Sequence, residues 1–352
     1  MSAHSTPVSF ARFQRWVVVA IVGCIFLYVG FSIWSGLDEI RAELSKFNWW
    51  MFVVAILLTL TNYTLRFVKW HYLLGRLGVD MPWVTDAWNF VAGLSMAVSP
   101  GKAGELLKPY VVKKVTNVRM ARTTAALVTE RLTDAIAMLL LAGVGITTYA
   151  ADKIEYLVIL AVGTAVGLLI LTNRKAMDFI LDRLEPFPIF DKIIPRVSVM
   201  LDSMRTCVAP MPLLWTVALS IVAWSAECFA YQLIFKGMGI DAGFDACFFV
   251  YAFATVGGAA MPGGLGIADG ALIGGAMRFI LSPSLDVEQA RAIATTAALL
   301  TRIATLWFGV ALGAIALLKV SSILKDYQDA DDNDTAPDDV PDPLTTNDDE
   351  AH

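Results

Sequence analysis

Histidine is almost absent from this chain of 352 residues: His4, His71 and His352 are the whole complement, two of them at the chain ends. Such scattered imidazoles build neither a metal cluster nor a nucleophile–histidine relay. Cysteine is nearly as sparse. Cys24, Cys207, Cys228 and Cys247 have no metal-ligand spacing, and three lie in or beside apolar segments, where a thiol acts as a small buried hydrophobe rather than a disulfide partner. Charged residues reach only 17%, against about 25% in a soluble domain. Nucleotide motifs fail as well. Gly101-Lys102 is preceded by Met96 where a P-loop needs glycine, and Ala103 stands where it needs Ser or Thr. Gly264-Leu265-Gly266 lies between apolar segments, not after a strand of a βαβ unit. No ATPase engine is visible, and the expectation is a protein that is not an enzyme, with no metal, cofactor or nucleic-acid partner.

What the chain does have is apolar length. Hydrophobic residues make up 57% and the mean hydropathy is +0.62. Runs such as Trp16–Trp34, Trp49–Leu65, Ile154–Leu171, Leu213–Phe235 and Ile303–Leu318 have the roughly 17–25 residues that a helix needs to cross about 30 Å of hydrocarbon. The first run follows Arg12 and Arg15 but exceeds a signal-peptide core and lacks a small-x-small cleavage site, so it reads as a retained helix. The fold class is all-α, a polytopic helical membrane protein.

Six segments are expected to cross: about 16–34, 49–66, 124–149, 154–172, 213–235 and 291–319. Two others are shorter and broken by proline and glycine. Val84–Val98 stops at Ser99-Pro100-Gly101-Lys102-Ala103-Gly104 and resumes as Glu105–Lys114. Phe244–Ala260 stops at Met261-Pro262-Gly263-Gly264-Leu265-Gly266 and resumes as Ile267–Phe279. Breaks free backbone groups that lipid cannot satisfy, so they persist at membrane depth only inside protein or beside a watery cavity. Both segments therefore read as re-entrant hairpins. With the N-terminus inside and each hairpin returning to its own face, nineteen Lys and Arg fall on the cytoplasmic side and six on the other, as the positive-inside rule requires. Full crossings by both hairpins would move Arg119, Arg122, Arg174 and Lys175 across.

The two halves, about 16–172 and 213–319, each place a broken hairpin before a helix with an internal arginine: Pro100-Gly101 with Arg131, Pro262-Gly263 with Arg302. Entry from opposite faces makes this a candidate inverted repeat, a recurrent transporter plan. Between the halves, residues 173–212 form a basic cytoplasmic linker in which Met177, Ile180, Leu181 and Leu184 recur at helical spacing, suiting an amphipathic helix on the inner leaflet or a plain linker. The membrane domain ends near residue 325, and 326–352 holds eleven acidic residues with no Lys or Arg, a solvated, disordered tail.

Charge within a membrane is costly and usually faces the bundle interior. Glu130, Arg131 and Asp134 fall within a sector of about 100° on one helix, with Arg131 placed to neutralise the carboxylates. Glu227 and Arg302 lie inside other crossings and would either serve the site or pair with each other. Lys102 and Glu105 flank the first break, and Asp269 follows the second. Together they would line a midplane cavity for a lipid headgroup or coupled ion, with half-helix N-termini offering N–H groups to a phosphate. The bland reading is a set of structural ion pairs. Arg66, Lys69, Arg76, Lys113 and Lys114 read as topology determinants or snorkelling anchors.

The motifs Ser99-Pro100-Gly101-Lys102-Ala103-Gly104-Glu105, Thr129-Glu130-Arg131-Leu132-Thr133-Asp134 and Met261-Pro262-Gly263-Gly264-Leu265-Gly266, in that order, resemble the lysylphosphatidylglycerol synthase transmembrane family, whose members are also described as flippase-like. The resemblance runs from about Trp16 to Lys319. It implies a region that moves an aminoacylated phospholipid between leaflets while a separate soluble domain makes it. That transferase domain has no counterpart in this sequence, and stand-alone relatives are associated with other lipids, so the family name does not select a substrate.

The leading expectation is a lipid translocase or lipid transporter, multi-pass in a prokaryotic cytoplasmic (inner) membrane, with both termini cytoplasmic and membrane lipids as partners. Lys102 and Arg131 would meet a phosphate, while Glu130, Asp134 and Asp269 would couple a proton or cation. The alternative is a non-transporting scaffold for a separate lipid- or glycan-modifying enzyme, docked through the acidic tail. An intramembrane enzyme acting through Glu130 or Asp134 is weakest, since no nucleophile–base or metal constellation accompanies them.

Overall fold

The computed structural model describes residues 37–99, 104–149, 154–173, 175, 177, 179, 183 and 194–334. The expected first crossing, the break residues Pro100, Gly101 and Lys102, most of the basic linker and the tail from residue 335 onward lie outside the described residues. Among those described, regular structure is entirely helical.

A short amphipathic helix, α1 (Leu37–Lys46), leads into α2 (Trp49–Arg76). Asn48 caps α2, its side chain accepting the Trp50 N–H at 3.1 Å. No proline or glycine interrupts the chain until Gly75, so α2 runs ten residues past Arg66, where the crossing was expected to end. The first broken element follows: α3 (Trp83–Leu94), a 3-10 turn at Ser95–Val98, then α4 (Leu107–Thr116). At 12 and 10 residues, α3 and α4 span only about 15–18 Å each, half of a hydrocarbon core. Helix α5 (Met120–Tyr149) and helix α6 (Ile154–Thr172) complete the first half, and α7 (Ile194–Cys207) begins the return.

Helix α8 (Pro210–Gly237) precedes the second broken element, which is α9 (Phe244–Gly257), 3-10 turns at Gly258–Ala260 and Pro262–Gly264, and α10 (Ile267–Gly275) continuing into a π turn at Ala276–Ile280. Then α11 (Val287–Arg302) passes through a π turn at Ile303–Trp307 into α12 (Phe308–Asp334). Among the described residues, three helical stretches are long and apolar enough to cross a membrane: Trp49–Arg76, Pro210–Gly237 and Val287–Tyr327. They expose Leu57, Leu214, Val222, Ile315 and Leu318, the surface that hydrocarbon solvates.

The long helices α2 and α8 pack together at the centre, joined where Asn62 Nδ2 donates to the Ala223 carbonyl at 2.9 Å. The flanking contacts cross between halves: α3 lies on α12, and α9 lies on α5. The two breaks touch, the Ser95–Val98 turn against Pro262–Gly264. Apolar side chains form two separate cores. One holds Trp70, Leu73, Phe90, Val111 and Ala125; the other holds Met138, Tyr231, Phe249, Leu272 and Ile293. Helix α5 contributes to both, and Glu130–Asp134 is the stretch between its two contributions.

Helix α7, within the basic linker, docks on α5 and buries Leu201, Met204 and Cys207. Of the linker residues at helical spacing, Met177 is buried in the same core, while Ile180, Leu181 and Leu184 lie outside the described residues. The last helix also continues to Asp334, beyond the boundary set at 325, because no helix breaker precedes Pro337.

Glycines decide how closely α12 meets its neighbours. A Cβ at Gly309 would collide with the Tyr63 hydroxyl, and one at Gly313 with the Ser95 backbone N and the Val91 carbonyl. Gly313 lets α12 lie backbone to backbone on α3 and its turn, while Gly309 leaves room for the Tyr63 side chain of α2. Gly313→Ala is expected to destabilise the protein by about 1–3 kcal/mol, because the obstructing atoms are backbone. Gly163→Ala, whose Cβ would meet nothing within 4 Å, is expected to change little. Thermal unfolding of both variants in one detergent checks this.

Candidate functional site: an ionic cavity where the breaks meet

Glu130 and Asp134 are four residues apart on α5, so they share a face, and both are buried. An unpaired carboxylate in such a place would be prohibitive. Glu130 is met by Lys108 Nζ on Oε2 at 2.5 Å, by Arg131 on Oε1 at 3.1 Å and by Arg66 on the same oxygen at 3.4 Å. Asp134 Oδ1 is met by Lys69 at 2.5 Å, and the Ser220 hydroxyl donates to it at 3.1 Å. Arg131 spans the group, reaching Asp134 at 3.6 Å and Glu105 at 3.0 Å. Four cations thus surround three carboxylates, drawn from α2, α4, α5 and the turn after the first break.

Each cation is seated by its helix. In α2 the residues Thr59, Asn62, Tyr63, Arg66 and Lys69 fall at helical spacing, a buried polar stripe in an otherwise apolar helix. Arg66 stacks over Trp224 at 5.4 Å. Lys108 lies over the rings of Trp70 and Phe90 at 4.2 and 4.9 Å, where cation–π attraction offsets part of its desolvation. Its stem passes Gly93, where an added Cβ would stand 2.9 Å from Lys108 Cγ.

The second half makes a smaller counterpart. Arg302 Nε is 2.7 Å from Asp269 Oδ1, and its Nη2 donates to the Gly264 carbonyl at 3.3 Å. Asp269 Oδ2 accepts the Gly266 N–H at 2.9 Å at the start of α10. Gly263, Gly264 and Gly266 have φ of 60, 72 and 79°, a conformation that disfavours any side chain. In each half, then, the arginine of the long helix pairs with the carboxylate that follows its own break. Glu227 does something else: its Oε2 accepts the Tyr251 hydroxyl at 2.5 Å.

Between these groups lies a cavity of about 180 Å³. Glu105, Arg131, Glu227, Arg302, Gly263 and Gly264 line it, as do Arg66, Lys108, Trp224 and Tyr251. Glu130, Asp134 and Asp269 stand behind the wall and hold its cations in place. Gly104 and Pro262 shape the breaks, Gly104 donating its N–H to Ser99 Oγ at 3.0 Å; Lys102, Pro100 and Gly101 lie outside the described residues.

Two sequence readings are decided here. Of the alternatives for Glu227 and Arg302, both line the cavity rather than pair with each other, Glu227 accepting from Tyr251 and Arg302 pairing with Asp269. Arg66 and Lys69 are not snorkelling anchors: Lys69 is 0% exposed and Arg66 8%. Ending the crossing at residue 66 hid them, whereas the polar periodicity of α2 shows them. Arg76, Lys113 and Lys114 are exposed, as anchors would be. Lys108 carried no sequence signal, since its burial depends on how α4 folds back against α3.

This architecture, a helical bundle with crossed half-helices around an ionic cavity, is that of an integral membrane protein. The chain belongs to the family of the lysylphosphatidylglycerol synthase TM region, which it matches over residues 15–313. It is similar to a UPF0104 membrane protein of Methanothermobacter thermautotrophicus, 23% identical over 320 residues that cover 83% of this chain and 90% of that protein. No solved structure matches it.

If the buried cations hold the carboxylates, removing one should cost stability that a second change restores. Lys69→Met is expected to destabilise by about 3 kcal/mol, the lower end for a broken buried pair, since Arg66 and Arg131 still face Asp134. Adding Asp134→Asn is expected to recover more than half of that loss, read as a coupling energy from unfolding of both single variants and the double variant.

Proposed function

We propose that the cavity is the headgroup site of a lipid translocator, a protein that moves a polar or anionic lipid between leaflets without making or breaking covalent bonds. The observation that carries this reading is the meeting of two broken half-helix elements at one ion-lined cavity inside an apolar bundle. Lipid tails need no such lining, whereas a headgroup crossing hydrocarbon does. The crossed packing of α3 on α12 and α9 on α5 suits an inverted repeat, in which two similar halves rock about a central site. Re-entrant hairpins and cytoplasmic termini in a prokaryotic inner membrane are the topology consistent with the lysine and arginine distribution. The scaffold alternative rests on the acidic tail, most of which lies outside the described residues.

Arg131 is the cation to remove. Its side chain is 33% exposed, the most open of the four, and Glu130 keeps Lys108 and Arg66 without it. In proteoliposomes carrying headgroup-labelled lipids, the native chain is expected to exchange one class across leaflets. Arg131→Ala should insert normally and slow exchange about tenfold or more, the loss of one charge-assisted hydrogen bond. Undiminished exchange by the variant would remove Arg131 from the site. Absence of exchange for every lipid by folded native protein would end the translocator reading.

A further inference from the structure

The described charged residues that line the cavity, taken with their ion-pair partners, match one to one and leave one of each sign over. Asp134 pairs with Lys69 and Glu130 with Lys108, both at 2.5 Å. Asp269 pairs with Arg302 at 2.7 Å and Glu105 with Arg131 at 3.0 Å. Arg66 is the cation left over, shared between Glu130 at 3.4 Å and Asp134 at 3.9 Å. Glu227 is the carboxylate left over. It lines the cavity at 4% exposure, its Oε2 accepts from the neutral Tyr251 phenol, and no described cation forms an ion pair with it. The charged and titratable groups that face it are Tyr63 and Arg66 from α2, Asp134 from α5, Cys228 on α8 itself, Tyr251 from α9 and Arg302 from α11. An ionised carboxylate inside an apolar bundle with no cation at contact range is costly. Glu130, Asp134 and Asp269 avoid that cost by pairing; Glu227 does not.

We propose that Glu227 is a proton site linked to anion binding: the cavity takes up one proton on Glu227 with each singly charged headgroup it receives. With Glu227 protonated, the cluster keeps one surplus positive charge, that of Arg66. An anion entering beside Arg131, whose side chain is 33% exposed, then finds a charge to neutralise. With Glu227 ionised, the surplus is cancelled and a carboxylate faces the anion across the same cavity. Proton and anion therefore favour each other's binding, and linkage makes the effect reciprocal. Loss of the proton to the more alkaline side weakens the hold on the anion, so a proton gradient can drive the headgroup in one direction. The inference rests on reading the cavity as the site of an anionic headgroup.

Binding of dihexanoyl phosphatidylglycerol to the purified full-length chain, in weakly buffered detergent, tests this without requiring transport. That headgroup keeps a single charge across the neutral range, so a proton taken up on binding goes to the protein. A pH indicator should record uptake of about one proton per lipid bound over the range in which Glu227 of the empty protein is ionised. Affinity should fall about tenfold or more as the pH is raised through that range, the size of a typical coupling between two sites. Glu227→Gln, uncharged at every pH, should abolish both the uptake and the pH dependence. Tyr251→Phe should still take up one proton per lipid, which separates the carboxyl from the phenol. Dimethyl phosphate, the same charge without acyl chains, should bind about tenfold or more weakly than the lipid. Affinity independent of pH in the native chain would overturn the proposal, and so would proton uptake that survives in Glu227→Gln. Dimethyl phosphate binding as tightly as the lipid would overturn a lipid as the source of the anion. The pH dependence of the native protein decides even if a variant fails to fold. Proton-linked binding without leaflet exchange would cost the translocator reading and keep this one; exchange with pH-independent binding would do the reverse.

Discussion

The structure depends on keeping two carboxylates, Glu130 and Asp134, charged inside an apolar bundle. Helix α5 buries apolar residues on both sides of them, so they sit where the two hydrophobic cores part. Stripping water from such groups costs several kcal/mol per ion, and only cations at close range offset it. Those cations come from elsewhere: Arg66 and Lys69 from α2, Lys108 from α4. Ser220 adds a hydroxyl from α8. One electrostatic requirement therefore fixes the mutual position of four helices that apolar packing alone would leave free to slide.

The same requirement explains the broken elements. Lys108 reaches Glu130 because α4 turns back after a break and lies beside α3, with glycine at position 93 leaving room for its stem. On the other side, left-handed glycines at 263 and 264 bring the second break against the first, and Asp269 anchors Arg302 just below it. The two breaks touch without filling the space beside them. The cavity is what remains, walled by the groups that the ion pairs hold outward.

Much of this was legible in the residues. The Pro-Gly clusters marked both breaks, and α9, its turns and α10 follow the expected segments within a few residues. Glu130, Arg131 and Asp134 declared themselves by cost, since charge in an apolar run needs a reason. The rest was tertiary. Lys108 lies in a short polar helix that reads as surface until α3 is folded against it. Arg66 and Lys69 were missed because hydropathy falls before the helix ends; the period of Thr59, Asn62, Tyr63 and Arg66 was the better signal. The separation of Glu227 from Arg302 could not be read at all, because their nearer partners, Tyr251 and Asp269, come from the second broken element. The π turn after Arg302 likewise follows from packing, with Tyr63 donating to the Thr305 carbonyl within it.

The measurement that bears most directly on the central claim is an electron cryo-microscopy map of the full chain in nanodiscs of mixed native lipids. This account predicts headgroup density inside the cavity, in contact with Arg131, and acyl density leaving between helices toward the bilayer. A cavity closed by side chains, with ordered lipid only around the outer surface, would contradict it and leave the ionic cluster a purely structural device.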